Sequence, residues 1–319
     1  MNNIFKILSV FVFCIVIAAC SKSDDTSTTP LRDYATQYAV DKDLIDEYVN
    51  THYMVVDPTN FDVTFHKIDA GQTSIKDQTQ YPLEDTTVIQ NGIDYKFHFI
   101  KFREGTEKRP TQVDSIYVSY KGIQLSGDQF DNAQNPTWLT LQSVITGWAH
   151  VFPNFHTGTY TSTPGPNPTS FNNFGAGVMF LPSGLAYYET ASGSIPSYSP
   201  LIFSFKLYQL RYRDHDSDGI LSKDERKLDP GISHLIRWKE NPVANIYKRD
   251  NLNKIVIDVP FLDTDSDGSP DFFDIDDDGD TFLTKLEIKN PVTGLPYPFA
   301  DIPSCTPNGK KKHLDKNCH

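Results

Sequence analysis

Residues 214–225 read DHDSDGILSKDE, with an acidic side chain at every other position, then a glycine, then a glutamate six residues further on. That spacing, D-x-D-x-D-G-x5-E, wraps carboxylate and carbonyl oxygens around a calcium ion. Asp214, Asp216 and Asp218 take positions one, three and five, and Gly219 makes the turn. Ile220 offers its carbonyl, Ser222 reaches the ion through water, and Glu225 supplies a bidentate carboxylate. Such loops ordinarily join two helices. Here the preceding stretch, LIFSFKLYQLRYR, alternates: Ile202, Ser204, Lys206, Tyr208 and Leu210 share one face, and Leu201, Phe203, Phe205, Leu207 and Gln209 the other. The loop leaves the end of a strand.

A second acidic cluster, DTDSDGSPDFFDIDDDGDTFLTKLE, runs from Asp263 to Glu287. Asp263, Asp265, Asp267, Asp271 and Asp274 make one loop, which turns at Gly268. Asp276, Asp278, Asp280 and Glu287 make another, in which Thr281 replaces the turn glycine and FLTKLE mirrors ILSKDE. Overlapping repeats of this kind resemble thrombospondin type 3 repeats, in which calcium replaces a hydrophobic core. The resemblance implies a loop-rich, EF-hand-like module over residues 211–319 that holds structural Ca2+. Extracellular modules bind at about 10⁻⁴–10⁻³ M, so in a calcium-rich compartment the ion is expected to stiffen rather than to signal.

The 41 acidic residues outnumber the 29 basic ones, giving a formal charge of −12. Phosphate contacts require clustered Lys and Arg, so no nucleic-acid partner is expected. The acid is concentrated in the C-terminal loops, which points to a cation.

At the other end, Lys6 precedes an apolar run, ILSVFVFCIVIAA, which ends in IAAC at Cys20. The run is shorter than the roughly 20 residues that span a bilayer. It resembles a bacterial lipoprotein signal, and the SKSDD that follows Cys20 is similar to surface-export signals of Bacteroidetes lipoproteins. That implies cleavage after residue 19, a lipid on Cys20 that anchors the chain to a membrane, and an outer-membrane location facing the periplasm or the cell surface. SKSDDTSTTP, within residues 20–32, reads as a disordered tether. Cys14 leaves with the signal, so Cys305 and Cys318 are expected to pair as a disulfide in an oxidising compartment.

Residues 33–91 read as an N-terminal helix and extension. Leu44, Ile45, Tyr48 and Val49 lie at helical spacing over 41–52, with Asp41 or Asp43 available as a cap. Whether this helix packs on the sheet or mediates dimerisation is open, and the oligomeric state is not legible. NFDVTFHKI reads as a strand and AGQTSIKDQTQYPLEDTT as a loop. From residue 92 to 210, IDYKFHF, SIYVSYKGI, VMFLP and LIFSFKLYQL have strand character, with SVITGWAHVF the one short helix. The low-complexity stretch TYTSTPGPNPTSFNNFGAG reads as a long exposed loop. An α+β fold follows: an antiparallel sheet closed over a short helix, then the calcium module.

At VSYKG, GDQFDN, VITGW, LPSGLAYY and IPSYSPLIFSFKL the sequence resembles the FKBP-type peptidyl-prolyl isomerases, with the blocks in family order. The resemblance implies a cleft built from Tyr120, Phe130, Asp131, Val144, Ile145, Trp148, Tyr187, Ile195 and Phe203, with Trp138 standing for a family phenylalanine. Trp148 would floor a proline pocket; the Tyr187 hydroxyl and the Ile195 N–H would anchor the peptide. The implied activity is cis/trans isomerisation of X–Pro bonds in proline-containing peptides or exported proteins, with no catalytic cofactor. Two features depart from the family: Tyr188 replaces the glycine of its A-Y-G segment, and the proline-rich stretch is inserted. The rival reading is a non-catalytic FKBP-like surface protein that holds a peptide, a glycan or an envelope partner.

Overall fold

The computed structural model describes residues 31–162, 169–225, 246–249, 255–258, 262–307 and 309–318. The signal, Cys20 and most of the tether lie outside the described residues. Asp33 opens the first helix, α1 (Tyr34–Thr51), its side chain accepting from the Thr36 N–H at 2.9 Å. The helix thus begins well before residue 41, and Asp41 is not its cap but a fully buried residue within it.

Strands β1 (His52–Val56) and β2 (Val63–Lys67) form an antiparallel hairpin. The main sheet then draws on β3 (Leu83–Gln90), β4 (Ile93–Arg103), β5 (Ser115–Gln124) and β6 (Gln129–Thr140). After the short helix α2 (Thr146–Val151) and a small hairpin of β7 (Thr159–Thr161) and β8 (Ser170–Asn172), it is completed by β9 (Gly175–Leu181) and β10 (Leu201–Arg211). All pairs are antiparallel, in the order β3-β4-β9-β10-β5-β6.

Every residue of β9 is buried, because the sheet has a layer on each face. On one face Trp148, Phe152 and Phe155 pack against Phe99, Met179, Leu181, Phe203 and Phe205. On the other, Ile45, Tyr48 and Val49 of α1 and Val63 of β2 cover Ile100, Val178, Phe180 and Ile202. Each such side chain contributes about 1.5–3 kcal/mol on burial. The result is a mixed α/β architecture with antiparallel sheets, and α1 packs on the sheet.

Two loop expectations are corrected. LEDTT is not loop but the first half of the edge strand β3, held to β4 by the register Leu83↔Ile100 through Gln90↔Ile93. Its short, polar alternation masks a strand whose Val88 is fully buried. The proline-rich stretch is not loop throughout: Thr159–Thr161 pairs with Ser170–Asn172, with residues 163–168 outside the described ones. Phe171 of this hairpin packs on Tyr208 and Tyr117, on the sheet face opposite Trp148.

Beyond β10 the described residues are mostly turns, apart from the pair β11 (Ile246–Arg249) and β12 (Ile255–Asp258) and one helical turn, α3 (Thr284–Glu287). Ile220, Ile288 and Ile302 form a small apolar cluster, and Cys305 and Cys318 form a disulfide with Cα atoms 5.6 Å apart.

Candidate functional site

Alternation along β5 and β10 brings Tyr120 and Phe203 to the α2 side of the sheet, where Trp148 of α2 meets both. Tyr120 lies edge-on to Trp148 (centroids 4.9 Å, 86°), and Phe203 lies edge-on to Trp148 (5.2 Å) and to Phe130 of β6 (5.4 Å). Val144, Ile145 and Ile195 belong to the same cluster. Gly122 permits this packing: a Cβ there would stand 2.5 Å from Phe130 Cζ and 2.9 Å from Phe203 Cε1. Gly147 does the same for α2, where a Cβ would lie 2.6 Å from the Leu181 methyls.

One polar pair rims the rings. Tyr120 donates from its hydroxyl to Asp131 Oδ2 at 2.8 Å, while Asp131 Oδ1 accepts from the Asn132 N–H. Burial, then Asp131, pushes the Tyr120 hydroxyl well above the ordinary tyrosine range, so it remains a donor.

The segment after β9 carries the remaining residues. Asp41 of α1 accepts from the Ser183 N–H and Oγ at 2.7 and 2.6 Å, fixing the start of this segment. Tyr187 is 37% exposed and close enough to Tyr120 to add to its shift. Tyr188 adopts φ +53°, the backbone a glycine would supply. Its ring turns to stack on Tyr34 of α1 (4.2 Å) and to meet Tyr198 edge-on (5.0 Å). Where the resembled isomerases have glycine, this chain thus has a residue whose side chain packs on the N-terminal helix.

Two residues sit otherwise than the sequence suggests. Trp138 does not join the cluster: it is paired with Tyr117 (5.0 Å) on the opposite sheet face, with the Arg211 guanidinium 4.1 Å above it. An even-numbered tyrosine, Tyr120, and an odd-numbered one, Tyr117, point to opposite sides of β5. The Ile195 N–H is already committed, donating to the Ser192 carbonyl at 2.9 Å. The Ile145 N–H, at the start of α2, makes no hydrogen bond among the described residues, and the Ile145 carbonyl accepts from the Trp148 N–H. Sequence reading missed this donor; a backbone amide leaves no trace in residue type, though helix N-termini offer such groups.

The acidic stretches fold into three loops that share one backbone pattern. In each, the N–H at position nine bonds the carbonyl preceding position one: Ser222 to Arg213, Asp271 to Leu262, Thr284 to Ile275. The N–H at position two bonds the side chain at position nine: His215 to Ser222, Thr264 to Asp271, Asp277 to Thr284. Positions four and six have positive φ throughout, at Ser217 and Gly219, Ser266 and Gly268, Gly279 and Thr281. Thr281 therefore does the glycine's work.

Carboxylate oxygens of Asp214, Asp216 and Asp218 lie within 4.8 Å of one another, as do those of Asp263, Asp265 and Asp267, and those of Asp276, Asp278 and Asp280. Ser222 and Asp271 instead close their loops at position nine, and Asp274 bonds the Asp276 N–H. Ile220 is buried in the apolar cluster. Burial and neighbouring carboxylates push Asp218 up to about 6 and Glu287 up to about 8. Both oxygens of Glu225 and of Glu287 are buried without hydrogen-bond partners. Orphaned, crowded carboxylates fit a hard divalent cation with oxygen ligands.

Against known proteins, the chain is 28% identical over 138 residues to the FKBP-type peptidyl-prolyl cis-trans isomerase FkpA of Aeromonas hydrophila, covering 42% of this chain and 44% of that protein. It is 32% identical over 116 residues to FkpA of Buchnera aphidicola, covering 35% and 39%. The chain thus spans less than half the length of these curated relatives. A family model described as BamM C-terminal matches residues 215–312. Among solved structures, FkpA from Escherichia coli aligns with a TM-score of 0.34 and 19% identity, covering 66% of this chain and 72% of that one. The Pseudomonas syringae peptidyl-prolyl isomerase aligns with 0.30 and 26%, covering 36% and 74%. Part of the chain is homologous to FkpA-type FKBP peptidyl-prolyl isomerases, at low identity.

Proposed function

We propose that residues 92–210 catalyse cis/trans isomerisation of X–Pro bonds, in a lipid-anchored protein of the outer membrane that assists exported chains. The observation that carries this reading is the ring cluster of Tyr120, Phe130, Trp148 and Phe203, with the Tyr120–Asp131 bond at its rim. An X–Pro bond turns by losing amide resonance, against a barrier of about 18–20 kcal/mol. The planar amide is the more charge-separated state, so a dry, ring-lined cleft favours the twisted one. Trp148 would floor the prolyl ring, and Tyr187 would hold the peptide with the free Ile145 N–H. Ile195 would act through packing, since its N–H is spent on Ser192.

The three acidic loops are read as structural calcium sites in residues 211–319. In this scheme calcium takes no part in the isomerisation and fixes the module that follows β10.

The test is the isomerisation rate of a short X–Pro peptide with the purified protein in calcium. Acceleration that is lost when Phe130→Ala and Asp131→Ala are combined supports the enzyme. A folded protein that binds the peptide without accelerating it would establish the non-catalytic binding reading instead.

A further inference from the structure

Asp277 stands at position two of the third loop, where the first loop has His215 and the second Thr264. Position two contributes no ligand in the D-x-D-x-D-G-x5-E scheme. Yet the Asp277 side chain is 1% exposed, and neither of its oxygens has a hydrogen-bond partner. Two carboxylates of the first loop converge on it, with Asp271 of the second loop also nearby: one carboxylate oxygen each from Asp218, Glu225 and Asp277 lie within 4.8 Å of one another. That span is twice a calcium–oxygen distance of about 2.4 Å.

Glu225 and Asp218 are each 2% exposed; both Glu225 oxygens and Asp218 Oδ2 are likewise without partners. None of the three carboxylates enters an ion pair among the described residues. Three buried, unneutralised carboxylates that converge in one dry place need a cation between them. All the donors are oxygens, which selects a hard ion; the unequal, flexible ligands suit calcium better than the octahedral demands of magnesium.

We propose that Asp277 is a ligand of the cation bound by the first loop. Asp218, Glu225 and Asp277 hold one calcium ion jointly, and calcium thereby fastens the third loop to the first. This rests on the reading of the first loop as a calcium site. It adds a ligand from outside that loop's own motif and makes the two loops a single cooperative unit.

The experiment compares the purified protein with its Asp277→Asn variant by calcium titration calorimetry and by thermal unfolding in calcium and in EDTA. The variant is expected to lose about tenfold or more in affinity at one site, since ligand charge sets affinity in such loops. It should melt below the wild type in calcium and above it in EDTA, because asparagine removes a like charge when no ion is present. Combining Asp277→Asn with Glu225→Gln should cost less than the two separate losses together, as for ligands of one ion. Unchanged affinity and stoichiometry in Asp277→Asn, or a melting shift of the same sign in both media, overturns the proposal. If the wild type itself takes up no calcium, the reading of the loops fails too, and that is seen before any variant is made.

Discussion

Asp41 and Ser183 lie 142 residues apart in the chain, yet the Asp41 carboxylate accepts both the N–H and the Oγ hydrogen of Ser183, at 2.7 and 2.6 Å. Gln37 adds a third bond from within α1 at 2.6 Å. The N-terminal helix therefore sets the origin of the segment that carries Tyr187.

Replacing Asp41 with alanine leaves the Ser183 donors buried and unmet. The loss expected in urea unfolding is about 3 kcal/mol, with Asp41→Asn recovering part of it because it keeps an acceptor. The proposed isomerase activity should fall in both variants at temperatures where each is still folded, since Tyr187 is displaced.

Gly122→Ala separates the cleft from the fold. The new methyl would meet the far edges of Phe130 and Phe203. The stability cost expected is about 1–3 kcal/mol from overpacking. Isomerisation should fall by roughly tenfold or more, since displacing positioned groups by about an ångström costs on that order. An unchanged rate in a protease-coupled or direct assay would show that Phe130 takes no part.

Thr281 has φ +81° at the place where the other two loops have Gly219 and Gly268. A β-branched residue is strained there. Thr281→Gly is expected to raise stability by about 1 kcal/mol in calcium, read from the urea midpoint, and to tighten the third loop's calcium affinity.

The metal-free protein should show an inverted pH dependence. Burial is the first cause, and like charge the next, that pushes Asp218 up to about 6 and Glu287 up to about 8, with Asp277 and Glu225 also raised. Unfolded, these groups titrate near pH 4. Their contribution is then fully present below about pH 4 and is lost as pH rises through the folded values. In EDTA the urea midpoint should fall between pH 5 and pH 8; in calcium it should rise over the same range, as deprotonation favours the ion.

Strong alternation made β4, β5 and β10 legible, and block spacing brought Tyr120, Phe130, Trp148 and Phe203 to one place on paper before geometry did. What stayed hidden depends on partners distant in sequence. The strand at LEDTT is too polar to announce itself, because its partner β4 supplies the apolar side. Trp138 was misplaced because it lies opposite Tyr117, on the sheet face away from Trp148, and residue type does not announce that register. Asp41 reads as a cap until Ser183 is known to lie against it. In the acidic loops, residue type fixed the ligand candidates at positions one, three and five, but not Asp277, whose neighbours come from another loop.

Strands β4 and β5 follow one another in the chain but are not neighbours in the sheet, for β9 and β10 lie between them. A chain that emerges N-terminus first therefore holds this sheet, until Gly175 arrives, only as the separate hairpins β3–β4 and β5–β6, and an isolated hairpin is marginal in water. Closure waits for residues 175–211, the last part of the sheet to be made. The order of the strands is thus also a clock: it keeps the two outer pairs apart until the strands that form the sheet's centre are in hand.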